Sequence, residues 1–193
     1  MICASPIDAA VLADYFLALL PEHEQNAVEE HLFACDDCGS TLSEIIALRE
    51  GIRNLAREGS LFMIVSEAFV ENVAKQGLRV RQYAPPRSGS IECTVAAEDD
   101  LLIGRLAADL RGAARIDLSL CDERGIEQMR LADIPFDAGA SAVVFQQSIT
   151  YAKAAPSGIL IAPLLASDDA GRERLLGEYR FNHTRTIPGP AAW

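Results

Sequence analysis

Nine residues near the start of the chain constrain it more than any other stretch: Glu30-His31-Leu32-Phe33-Ala34-Cys35-Asp36-Asp37-Cys38. They read H-x3-C-x2-C at the end of an acidic helical pattern. His31 and Cys35 are four apart, so on a helix they share one face. Cys38 follows three residues later, past a turn expected at Asp36-Asp37. One imidazole and two thiolates converging in so short a span match what a tetrahedral Zn2+ site needs. A fourth ligand must come from elsewhere, and Cys3 is the leading candidate. His23 precedes His31 by about two helical turns, or roughly 12 Å along the axis, too far to share an ion without a bend. It reads as an exposed residue among acids.

Charge separates the chain into two parts. Of its 193 residues, the first 50 hold ten acids (Asp8, Asp14, Glu22, Glu24, Glu29, Glu30, Asp36, Asp37, Glu44 and Glu50) against one base, Arg49. That is −9 of the formal −11, and the remaining 143 residues are nearly balanced at −2. The asymmetry implies two modules with different tasks. An acidic module is a poor nucleic-acid binder, because phosphates demand Lys and Arg. Its charge either keeps a solvated face soluble or meets a basic partner, such as a protein that itself grips DNA or RNA polymerase.

The five cysteines are odd in number, and two form a close C-x-x-C beside a histidine, which argues against a secreted disulfide scaffold. No signal-peptide pattern is visible, and no apolar run approaches the roughly 18–20 residues that span a membrane. The chain is therefore expected to be soluble and cytoplasmic.

Helical periodicity runs through the first part. Val11, Leu12, Tyr15, Phe16 and Leu19 follow i, i+3, i+4 over residues 8–20, with Asp8 as N-cap. Pro21 opens a second helix to about Ala34, with Glu22 and Glu24 in its first turn. Thr41-Leu42-Ser43-Glu44 has the form of a capping box before a third helix, whose stripe is Leu42, Ile45, Leu48 or Arg49, Ile52 and Leu55. A fourth helix is expected from Leu61 to Gln76, ended by Gly77, with apolar residues on more than one face. Such a helix is either buried between modules or lays one face in a partner's groove.

From Leu78 the grammar changes. After the loop Pro85-Pro86-Arg87-Ser88-Gly89-Ser90 come seven short β-forming segments: 90–96, 101–110, 114–121, 126–132, 142–148, 158–165 and 175–183. Asp122-Glu123-Arg124-Gly125 reads as a hairpin turn. Seven short strands at this spacing predict an antiparallel β-sandwich. The tail from Thr184 to Trp193 is expected to be loosely ordered. Cys93 and Cys121 fall in strands and read as core, and His183 as a strand-end residue. Asp99-Asp100 and Asp168-Asp169 flank strands as turn residues. Phosphate-cradling glycine patterns and a G-x-S-x-G elbow are both absent, so no catalytic site is expected.

In sequence order, Cys3, Leu12-Ala13-Asp14-Tyr15-Phe16-Leu17, Leu20-Pro21-Glu22 and Val28 to Cys38 resemble the zinc-binding anti-sigma factors over roughly residues 1–50. That family has an upstream Cys or His, a helix with an aromatic residue, a short turn, an acidic second helix, and H-x3-C-x2-C opening a third. The resemblance implies a small helical bundle that wraps an extracytoplasmic-function sigma factor and holds it away from core RNA polymerase. It carries over His31, Cys35 and Cys38 as zinc ligands. For the upstream ligand, Cys3 lies a residue or two beyond the family spacing, while Ser5, nearer to it, is a poor ligand. In some members the thiolates sense oxidant; in others a C-terminal domain senses the signal.

The expectation is thus an α+β protein of two modules. Residues 1–77 form a bundle of about four helices with a Zn2+ site of Cys3, His31, Cys35 and Cys38 that sequesters a sigma factor. Residues 78–193 form a β-sandwich for sensing or interaction. The competing reading is a zinc-containing interaction module or redox sensor with no sigma partner.

Overall fold

The computed structural model of the chain describes Cys3 and residues 5–187. It is mixed α and β and divides into two compact units, Met1–Ala56 and Arg57–Trp193.

The first unit is helical. Helix α1 (Ala9–Phe16) begins where the Asp8 carboxylate accepts the Ala10 N–H at 2.7 Å. It stops four residues before the sequence pattern does: Ala18 turns left-handed at φ 56°, and Pro21 disfavours helix at Leu20. Helix α2 (Glu22–Ala34) follows, with Pro21 at the N-cap rather than in the first turn. Helix α3 (Asp36–Arg57) begins five residues before Thr41. The Thr41 hydroxyl does not cap; it donates back to the Asp37 carbonyl at 3.1 Å. Cys38 therefore lies in the first turn of a long helix.

Residues 57–77, expected with the helical module, belong to the second unit. The apolar run Leu61–Val65 is extended rather than helical. Within it β1 (Met63–Ile64) pairs with β7 (Ala142–Gln147). Only α4 (Glu67–Lys75) remains of the fourth helix, capped by Ser66, whose hydroxyl accepts the Phe69 N–H. Gly77, at φ 86°, follows its end as the sequence implies. Val65 and Val70 are buried with Ile103 and Val144, and this packing ties the segment to the strands.

All seven expected strands form: β3 (Ser90–Cys93), β4 (Leu101–Ala107), β5 (Arg115–Cys121), β6 (Glu127–Leu131), β7, β8 (Gly158–Ser167) and β9 (Glu173–His183). Three elements are additional: β1, β2 (Val80–Tyr83) and the short helix α5 (Ile149–Ala154). The strands make a four-stranded sheet, β1-β7-β4-β2, and a five-stranded sheet, β3-β9-β8-β5-β6. Neither sheet is purely antiparallel, which corrects the sequence expectation: β2 runs parallel to β4, and β3 parallel to β9. Pro85-Pro86 lies in the connection between β2 and β3. Without N–H donors there, the chain cannot continue β2 in a ladder, and β3 joins the edge of the other sheet.

The main core draws on both sheets, with Leu106, Val143 and Phe145 from one and Ile116, Leu118, Leu164, Tyr179 and Phe181 from the other. The Tyr179 hydroxyl donates to the Ala107 carbonyl at 2.5 Å, satisfying a buried phenol across the sheets. Asp122 closes the β5–β6 hairpin by accepting the Arg124 and Ile126 N–H groups. Asp168 does the same for Ala170 and Arg172 between β8 and β9. Asp99 is more than a turn residue: it is buried and accepts two bonds from the Arg81 guanidinium at 2.9 and 3.1 Å. Of the expected loose tail, residues 188–193 lie outside the described residues. Before them, Thr186 donates to the Val95 carbonyl and the Arg185 N–H bonds to Ser157.

Candidate metal centre

The first unit brings together the four residues that the sequence singles out. One donor atom each from Cys3, His31, Cys35 and Cys38 lies within 4.8 Å of every other. His31 stands on the last turn of α2, and Cys35 follows that helix in extended geometry at φ −136° and ψ 100°. Cys38 sits in the first turn of α3 and is buried. The break between helices at Cys35 lets a thiol four residues from His31 and another three residues further turn toward one point. Cys3 arrives from the segment before α1, its sulfur 3.6 Å from His31 Nε2.

The geometry fits a metal ion. For an ion with zinc-like bonds of about 2.3 Å to sulfur and about 2.0–2.1 Å to nitrogen, a tetrahedral S···N edge is about 3.6 Å. The Cys3–His31 separation is that length. Thiol and imidazole donors select borderline and soft divalent ions over calcium or magnesium.

Backbone groups already favour thiolate at the centre. Cys35 occupies the N-cap position of α3, and its carbonyl accepts the Gly39 N–H at 3.1 Å. Its thiol is lowered to about 7, first by the hydrogen bond from the Cys38 N–H and then by one from Cys3. This is a sulfur doing what a Ser or Asp N-cap does, at a helix end that favours negative charge. The Cys3 thiol is raised, chiefly by its hydrogen bond with Cys35. The Ile7 N–H points at Cys38 Sγ, 3.4 Å away.

Asp37 is the residue beside the cluster that sequence reasoning missed. Its carboxylate accepts the backbone N–H of Cys3 at 2.8 Å, fixing the segment that carries the fourth donor. The only sequence hint is its position inside the C-x-x-C spacer. His23 stays outside the cluster, exposed and 3.7 Å from Glu24. Cys93 and Cys121 lie in the second unit on β3 and β5, where burial raises both thiols, Cys93 to about 11. His183 ends β9, and burial lowers its imidazole.

The same unit has a thin interior. Within α1–α3 the buried residues, among those described, are Leu12, Val28, Cys38 and Ala56. Among the described residues of this unit, eight large apolar side chains are exposed, including Phe33 at 92%, Leu19 at 68% and Leu48 at 65%. Ile52 and Leu55 of α3 are exposed with Leu48, so much of the stripe expected to face a core faces outward. Among the described residues, no helix is long and apolar enough to cross a membrane.

No family model and no curated protein matches the chain. Among solved structures, CopC from Methylosinus trichosporium OB3b is similar at 12% identity and a TM-score of 0.30, covering 66% of this chain and 98% of that one. The N-terminal domain of phage TP901-1 ORF48 is similar at 11% identity and a TM-score of 0.34, covering 55% and 98% respectively.

Proposed function

We propose that the chain is a zinc-dependent anti-sigma factor of the cytoplasm, in which the helical unit binds an extracytoplasmic-function sigma factor and the β unit, two sheets packed as a sandwich, receives the signal. One observation carries the reading: the four-donor cluster joins helices whose apolar residues are largely exposed rather than spent on a core. A unit built this way holds a shape while keeping apolar surface for a partner. Its ten acids against one base over residues 1–50 suit the basic surface with which a sigma factor meets polymerase and promoter.

Cys3, His31, Cys35 and Cys38 would hold the zinc ion, which would supply a structural staple between the helices. The protein's own contribution is orientation. The α2–α3 break aims His31, Cys35 and Cys38, and Asp37 presents Cys3. Inhibition is then steric: the acidic helices and the exposed face of α3 cover surfaces that the sigma factor needs for polymerase. Binding weakens with salt in proportion to the exposed charge involved.

The test is co-expression with each extracytoplasmic-function sigma factor of the same genome, followed by capture and metal analysis. The wild type is expected to retain one sigma factor and about one zinc per chain, and to block transcription from that factor's promoter. Cys35→Ser should lose metal and sigma capture together. Zinc bound without capture of any sigma factor would favour a zinc-containing interaction module, and unchanged metal and capture in Cys35→Ser would refute the coupling.

A further inference from the structure

The second unit holds a cavity of about 600 Å³, within the size range of small-molecule sites. It is lined from both sheets and α5, and five of its wall residues are aromatic: Phe62, Tyr83, Phe145, Tyr151 and Phe181. Phe145 stands edge-on to Phe62 at 5.6 Å and to Phe181 at 6.1 Å. Three apolar wall residues, Met129, Tyr151 and Ile159, are themselves exposed, although solvent-facing positions are ordinarily polar.

Most polar groups on the wall are committed to the fold; the exception is His183, whose buried Nε2 has no hydrogen-bond partner among the described residues and offers an uncharged occupant one polar contact. The Asp122 carboxylate accepts two backbone N–H groups and the Gln128 side chain. The Tyr83 hydroxyl donates to the Thr94 carbonyl and accepts the Thr94 N–H. Ser148 caps α5 by accepting the Tyr151 N–H, and Ser157 accepts the Arg185 N–H. Burial keeps the Cys93 and Cys121 thiols protonated near neutral pH. An anionic occupant would give up water and meet the Asp122 carboxylate rather than a counter-charge, which is costly, whereas a flat apolar ring meets edge-and-face partners.

We propose that this cavity is a binding site for an uncharged aromatic small molecule. It stands on the second unit alone and does not depend on the anti-sigma reading. If that reading holds, the cavity is where the signal enters.

Gly158 gives a clean block. It lines the cavity, and a Cβ there meets nothing within 4 Å. The full zinc-loaded chain is titrated with neutral N-phenyl-1-naphthylamine and, separately, with its anionic relative 1-anilinonaphthalene-8-sulfonate, following fluorescence. The neutral probe should bind saturably with one site per chain, and the sulfonate about tenfold more weakly or worse. Gly158→Leu should weaken the neutral probe about tenfold or more at unchanged melting temperature, and Tyr151→Ser by several-fold. Leu175→Ala, an exposed apolar residue away from the cavity wall, should change nothing. No saturable binding, equal loss in Leu175→Ala, binding indifferent to both wall variants, or preference for the sulfonate would each overturn the proposal. Sigma-factor capture is not read here, so failure of either proposal leaves the other standing.

Discussion

Cys35 serves two structures at once because it lies where one helix stops and the next starts. It ends α2 in extended geometry, and its sulfur takes the Cys38 N–H that the start of α3 leaves over. Asp37, two residues on, accepts the Cys3 N–H and so holds the donor that comes from farthest away. Groups that orient ligands in this way commonly govern metal affinity by about 10–100-fold. Asp37→Ala is therefore expected to weaken zinc about 10–100-fold in competition with a chromophoric chelator. Asp37→Asn, which keeps an acceptor oxygen, should retain most of the affinity. Equal affinity in wild type and Asp37→Ala would mean that Cys3 reaches the centre without this bond. The contrast explains what could be read in advance. His31, Cys35 and Cys38 are legible because their spacing is local, and helix geometry turns local spacing into proximity. Cys3 is legible by its chemistry alone. Asp37 is not, because its partner lies 34 residues away and its place in the C-x-x-C spacer does not by itself select it from ten acids.

At the scale of elements, strand alternation and turn chemistry are legible and pairing is not. Arg115 to Leu120 alternates along β5, and Asp122 with Gly125 at φ 78° closes the following hairpin as the sequence implies. The partner of each strand is a tertiary outcome, hence the unforeseen parallel edges formed by β2 and β3. Leu61–Val65 was open to misreading because five consecutive apolar residues have no period; pairing of Met63 and Ile64 with β7 decides in favour of strand. Close approach is equally invisible in sequence. Gly104 of β4 lies under Phe145 of β7, where a Cβ would come within 2.3 Å of the ring. The ring is buried and edge-on to Phe62 and Phe181, so a shift toward the cavity it lines gives up those contacts. Gly104→Ala should thus cost about 1–3 kcal/mol, read as a lower denaturant midpoint at unchanged m-value. Gly158→Ala, where a Cβ enters open space, should stay within about 0.5 kcal/mol of wild type. A harmless Gly104→Ala would show that the aromatic trio repacks freely.

At the scale of the molecule, the two units hold together by different means. The second encloses a core shared by two sheets, with more than a dozen buried side chains. In the first, the buried residues of α1–α3 are, among those described, Leu12, Val28, Cys38 and Ala56, and most of the remaining large apolar residues described there lie at the surface. Helices of 8 and 13 residues are marginal alone in water, and a domain of this size has little margin from its core alone. The apparent free energy of structural zinc, about 10–16 kcal/mol in small fingers, equals or exceeds the whole stability of an ordinary domain, about 5–15 kcal/mol. Chelation of the full chain under reducing conditions is therefore expected to remove most of the far-ultraviolet helical signal of α1–α3. The calorimetric transition of the β unit should keep its temperature to within about 2 °C. Hydrogen exchange would separate the effects, with protection lost across α1–α3 and retained in β4, β5, β8 and β9. If helical signal and protection both survive complete metal removal, the packing of Leu12 and Val28 suffices for the first unit. The charge excess then becomes the more important guide to its partner, because a self-sufficient bundle would have no need to leave Leu48, Ile52 and Leu55 outside for its own folding.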